Sequence, residues 1–111
     1  MNNPLKTLSL SATIILMAGI GSTAAAEDAA LDGASLFLTK ACLSCHGADG
    51  RTPIQPVYPK ITGQNADYTY NQMRDIKSGA RSNGQAVVMK GIMAAVSEEE
   101  MRAIAEWLST Q

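Results

Sequence analysis

Cys42, Cys45 and His46 are the only two cysteines and the only histidine of this 111-residue chain, and they fall within five consecutive positions, Cys42-Leu43-Ser44-Cys45-His46. On a helical turn, residues three and four apart share a face. Cys42 and Cys45 are therefore spaced to reach the two vinyl carbons along one porphyrin edge, and His46 follows to bring an imidazole under the iron. A Cys-x-x-Cys-His run is the attachment motif for a c-type haem. Blander chemistry of the same residues fits less well. A disulfide between Cys42 and Cys45 closes a tiny loop and stabilises little. A thioredoxin-like redox pair belongs to a βαβ pattern, and no such pattern is present. A structural zinc site takes four ligands, where this motif offers three at most.

The elements that must hold these groups read as short helices. Asp32 is placed to cap a first helix through about Lys40, bulked by Leu36, Phe37 and Leu38 and running on into the motif turn. Gly47-Ala48-Asp49-Gly50 breaks it. Residues 51–64 carry Pro53, Pro56 and Pro59, a density that forbids a helix and limits strand pairing. Val57, Tyr58 and Ile61 give this loop apolar groups with which to cover something hydrophobic. Asn65 is a fair N-cap for a helix from Ala66 to about Lys77, with Thr69, Met73, Ile76 and Ala80 at helical intervals and Gly79 where a C-cap glycine belongs. A short apolar segment runs from Ala86 to Val96. Ser97-Glu98-Glu99-Glu100 has the capping-box pattern, and Met101, Ile104, Ala105 and Leu108 form an i, i+3, i+4, i+7 stripe flanked by Trp107. The chain reads as all-α, with three to four short helices and long irregular connections. A loop of such length is uncommon in a compact domain and is usually functional.

The N-terminus reads as a secretory leader: Lys6 supplies the positive charge, an apolar stretch runs from Leu8 to Ile20, and Ala24-Ala25-Ala26 makes a small-residue cleavage site. The stretch is shorter than the ~20 residues needed to cross a bilayer. Cleavage after about Ala26 leaves residues 27–111 as one domain with no membrane span. A domain of that size buries a modest share of its surface and gains from a staple, which a haem bonded through two sulfurs and an imidazole would supply. The formal net charge is −1 with charges interspersed, and no basic stripe points to nucleic acid.

With one histidine in the chain, bis-histidine ligation within it is excluded. Met is more often core filler than ligand. Met73 and Met101 lie on the apolar stripes of expected helices and read as packing. Met89 and Met93, four residues apart in the short apolar segment, would share a face if it is helical, so both are candidates for the sixth position. His/Met ligation is an electron-transfer arrangement that raises the reduction potential.

Taken together, Cys42-x-x-Cys45-His46-Gly47-x-Asp49-Gly50, Tyr58-Pro59-Lys60-Ile61-x-Gly63-Gln64, Gly79-Ala80-Arg81-x-Asn83 and Met89 ahead of Ser97 resemble a small class I cytochrome c. The likeness is to one haem domain of the dihaem cytochromes of the c-four kind and their monohaem relatives, and it covers residues 33–111. The resemblance implies one covalent haem c with thioethers at Cys42 and Cys45, His46 as proximal ligand and Met89 as axial methionine, Met93 being the alternative. It implies a proline carbonyl accepting the His46 Nδ1 hydrogen bond, with Pro56 fitting best and Pro53 next. It also implies Gln64 or Arg81 at a haem propionate, and a first and last helix crossing near Gly33, Phe37, Trp107 and Leu108. The spacing from Gly33 to Cys42 is one residue longer than the family pattern. The function implied is a periplasmic electron carrier, not an enzyme, with transient redox partners in a respiratory chain and no small-molecule substrate. A tightly bound haem subunit of a dehydrogenase or oxidase is the alternative. An open-site haem sensor or peroxidase fits less well, because no second histidine or distal acid pair is present.

Overall fold

The computed structural model describes residues 30–111, so the leader expected over residues 1–26 lies outside the described residues. Five helical segments follow one another: α1 (Gly33–Thr39), α2 (Leu43–His46), α3 (Ala66–Ser78), α4 (Ala86–Met93) and α5 (Glu98–Ser109), with no strand among the described residues. The architecture is all-α, as the sequence implies. The extra segment relative to the expected three or four is α2, a single turn.

The helix ends follow local side-chain chemistry. Asp32 caps α1 by accepting from the Ala34 backbone N–H at 3.1 Å and from Ser35 Oγ at 2.6 Å. Asn65 caps α3 by accepting from the Tyr68 N–H at 3.1 Å, and Gly79 closes it at φ +88°. The capping box of α5 is complete. Ser97 Oγ accepts from the Glu100 N–H at 3.2 Å, and Glu100 Oε2 accepts from the Ser97 N–H at 2.9 Å. In contrast, α4 follows Gln85, whose side chain makes no capping hydrogen bond, which is why its start carries no clear sequence signal.

The first helix departs from its expected course. It does not run on into the motif but stops at Thr39, and Ala41 takes a left-handed conformation (φ +63°) before α2 begins. Of the three residues that bulk it, Phe37 is fully buried, Leu36 packs partly buried against the core and Leu38 is half exposed.

α5 packs against α1 and α3, while α4 packs against α3. On α5, Met101, Ile104, Ala105 and Leu108 are buried, together with Phe37 of α1, Met73 and Ile76 of α3, Met93 at the end of α4 and Val96 after it. α1 crosses α5 at Gly33, where an added Cβ would lie 2.2 Å from the Ala103 carbonyl oxygen and 2.6 Å from Trp107 Cβ. Only a glycine permits that approach. It brings the Phe37 and Trp107 rings to a centroid separation of 5.1 Å at a tilt of 46°, in the favoured range for aromatic pairs. On the outer surface α3 and α5 are tied by Arg102, whose guanidinium lies 3.8 Å from the Tyr70 ring centroid and 2.6 Å from Asp67 Oδ1.

Candidate functional site

His46 is the one buried polar side chain among the described residues, 7% exposed. It ends α2, whose first hydrogen bonds run from the Cys45 and His46 N–H groups to the Cys42 carbonyl. One turn of helix thus carries all three motif groups. Gly47 follows at φ +81°, ψ 162°, a region essentially reserved for glycine. A Cβ there would lie 2.0 Å from the Thr52 carbonyl oxygen. The turn sends the chain sharply back along the motif.

The proline loop is pinned at several points. Asp49 Oδ1 accepts from the Arg51 and Thr52 N–H groups at 2.8 and 3.0 Å, and these two bonds hold its carboxyl below the usual carboxylate range. The Ile54 N–H donates to the Cys45 carbonyl, the Ile61 N–H to Gly50, and the Gly63 N–H to Leu108 at the end of α5. So tethered, the loop presents the Pro59 carbonyl oxygen 2.9 Å from His46 Nδ1. A carbonyl only accepts, so Nδ1 carries the proton and Nε2 keeps its lone pair. Among the described residues the His46 imidazole has no other hydrogen bond, and Nε2 is available as a metal ligand. This corrects the expectation for Pro56 and Pro53. Neither meets the imidazole; both line a separate outer recess with Ile54 and Gln55. The loop's path brings the carbonyl of its third proline, not its second, to Nδ1.

His46 lines a cavity of about 820 Å³ formed by the loop, α3, α4 and the inner face of the core, within the usual size of a cofactor site (roughly 300–1,000 Å³). Cys42 and Cys45 line it on the motif side, both as free, half-buried thiols. Burial pushes the Cys42 thiol up from its ordinary value, favouring neutral sulfur at that wall. Gln64 and Arg81, both expected near a propionate, also line the cavity. Arg81 Nη1 donates to Gln72 Oε1 at 2.9 Å, while Gln64 Oε1 accepts from the Asn65 N–H. The charged lining residues are Lys60 and Arg81, both cationic. α4 places Met89 and Met93 on the cavity together, as helical spacing requires. Met93 is 2% exposed and part of the core, whereas Met89 is half-buried at the wall. Met73 also reaches the cavity, from α3, while Met101 packs in the core away from it. Tyr58, Tyr68 and Asn83 complete parts of the wall. Tyr58, as an apolar loop residue, and Asn83, in the Gly79-Ala80-Arg81-x-Asn83 run, carried a signal in the sequence, and Tyr68 carried none.

The cytochrome c family model matches residues 30–111. The chain belongs to the cytochrome c family. Among its relatives are cytochrome c-554(548) of Halomonas halodenitrificans, 36% identical over 63% of this chain and 83% of that protein, and cytochrome c-553 of Nitratidesulfovibrio vulgaris, 35% identical over 72% of this chain and 76% of that protein. Cytochrome c4 of Pseudomonas aeruginosa is 36% identical over 92% of this chain, which spans 48% of that longer protein. This cytochrome is therefore an electron-transfer haem protein, an electron carrier rather than an enzyme, and its cofactor is a covalently bound haem c. The cavity fits that group. It is large enough, both thiols and the Nδ1-protonated imidazole open onto it, and apolar side chains from the loop and α4 surround them.

Proposed function

We propose that this cytochrome is a periplasmic carrier that passes one electron at a time between transient redox partners of a respiratory chain. In this reading Cys42 and Cys45 would carry the thioethers, and His46 and Met89 would ligate the iron and keep it low-spin. Haem c, when bound, supplies the one-electron ferric–ferrous couple. The chain's own residues do the rest. Pro59 fixes the His46 tautomer and ring plane, which sets the basicity of Nε2. The loop over 51–64 would cover one side of the haem, and Arg81, with Gln64, would meet a propionate. Met89 is preferred to Met93 because it stands half-buried at the wall, while Met93 is committed to the core. The observation that carries the reading is the convergence of Cys42, Cys45, His46 and Met89 on one cavity.

Export is part of the proposal: residues 1–26 would be removed after Ala26, leaving 27–111 as the monohaem domain, and the first residue of the secreted protein should be Glu27. A redox titration of the purified protein should follow a single one-electron curve, and the reduced form should resist carbon monoxide. Rapid carbon monoxide binding would reveal an open sixth position and overturn the carrier reading. The alternative is a permanent haem subunit of a larger enzyme. Co-purification of a stoichiometric partner at native expression levels would support that reading; a free monomer would support the carrier.

A further inference from the structure

Ala41 is the only non-glycine residue with positive φ among the described residues. The left-handed region is costly for a residue bearing a Cβ, and α3 meets the same need at its C-terminus with Gly79. Ala41 does not stand alone. With Lys40 as the C-cap of α1, the Ala41 N–H donates to the Leu38 carbonyl at 3.3 Å and the Cys42 N–H to the Phe37 carbonyl at 3.2 Å. These are the two hydrogen bonds of a Schellman motif, which requires its closing residue to be left-handed and places the next residue against the helix it ends. Here the next residue is Cys42. It packs against the core that contains the fully buried Phe37, and its carbonyl then opens α2 by accepting from Cys45 and His46. Ala41 itself lines the same cavity as Cys42, Cys45 and His46.

We propose that Ala41 is a positioning residue for haem attachment: its left-handed turn aims the Cys42 sulfur into the cavity in register with Cys45 and His46. This rests on the reading of Cys42 as a thioether cysteine. Each thioether forms by adding an S–H across a vinyl C=C, the sulfur bonding to one carbon and the hydrogen going to the other, with no net oxidation or reduction. Nothing in that addition corrects a misdirected sulfur, so the backbone must direct it beforehand. Cys45, inside α2, is held by helical hydrogen bonds and depends less on Ala41.

The test compares Ala41→Gly, Ala41→Asn and Ala41→Val, produced in a host that matures c-type haems. Gly and Asn accept the left-handed region, while a β-branched residue does so only as an outlier. Thioethers are counted from the pyridine haemochrome band, which shifts when a vinyl stays unsaturated, and from alkylation of any free thiol followed by peptide mapping. The expected result is two thioethers in wild type, Ala41→Gly and Ala41→Asn, and loss of the Cys42 bond alone in most Ala41→Val holoprotein. Ala41→Val holoprotein with both bonds intact would overturn the proposal. If Ala41→Val yields no holoprotein, it is combined with Cys42→Ala. Recovery to the level of Cys42→Ala alone supports action through Cys42, and no recovery assigns Ala41 to the fold at large and overturns the proposal. A Cys42→Ala protein whose haemochrome band matches wild type would instead remove the thioether reading on which the proposal rests.

Discussion

Gly33→Ala adds one methyl group at the crossing of α1 and α5. Its carbon would lie 2.2 Å from the Ala103 carbonyl oxygen and 2.6 Å from Trp107 Cβ, where carbon contacts settle near 3.5–4.0 Å. The first obstacle is backbone and the second is a Cβ, so no rotamer change or side-chain truncation relieves the clash. α1 must move off α5 by about 1 Å or more, since a contact near 3.5 Å is the closest comfortable one. Overpacking of this kind costs about 1–3 kcal/mol. The move also loosens the Phe37–Trp107 pair at 5.1 Å, a contact that contributes about 0.5–1.5 kcal/mol beyond burial. The better helix propensity of Ala returns at most about 1 kcal/mol. The net expectation is a loss of about 2 kcal/mol, or a melting point lower by roughly 8–16 °C for a domain of this size. Guanidinium denaturation of the ferric holoprotein, followed by far-ultraviolet circular dichroism, should show a lower midpoint at unchanged slope. A midpoint equal to or above wild type would refute the crossing as described.

Gly47→Ala meets both a glycine-only backbone region and the Thr52 carbonyl at 2.0 Å, so it should destabilise by at least about 2 kcal/mol; thermal melts of holoprotein check this. His46→Ala removes the buried imidazole that Pro59 orients and should abolish recovery of low-spin holoprotein, read from its absorption spectrum. The Glu100 carboxyl is held below its ordinary value of 4.5 first by the Ser97 N–H and then by Lys40. A depressed folded-state value stabilises the fold above about pH 4.5, and that contribution is lost as pH falls through the lower value. Glu100→Gln should therefore lose about 1 kcal/mol at neutral pH, and the gap to wild type should close in acid; a gap independent of pH would contradict this.

Much of the frame was legible because it is local chemistry. Asp32, Asn65, Gly79 and the Ser97–Glu100 box each satisfy helix-end groups within four residues, so sequence spacing is enough to find them. The stripe on α5 is buried as its period requires. What escaped is tertiary. The choice among three prolines depends on where the loop is tied to Cys45, Gly50 and Leu108, and those ties are not written in the spacing of Pro53, Pro56 and Pro59. The break at Ala41 escaped because alanine is the strongest helix former and gives no sign of a left-handed turn. Leu38 is exposed because Gly33 and Phe37, four residues apart, set the face of α1 that meets the core, and Leu38, next to Phe37 on the helix, turns away from that face. Met89 and Met93 share a face in either description, and only their burial separates them.

The near-infrared spectrum of the ferric protein bears most directly on the site as a whole. A thioether–iron band should be present in wild type and in a conservative Met93→Leu variant, and absent in Met89→Ala. A wild-type spectrum without that band and with high-spin iron, or a band that survives in Met89→Ala, would contradict the ligand set on which the carrier function stands.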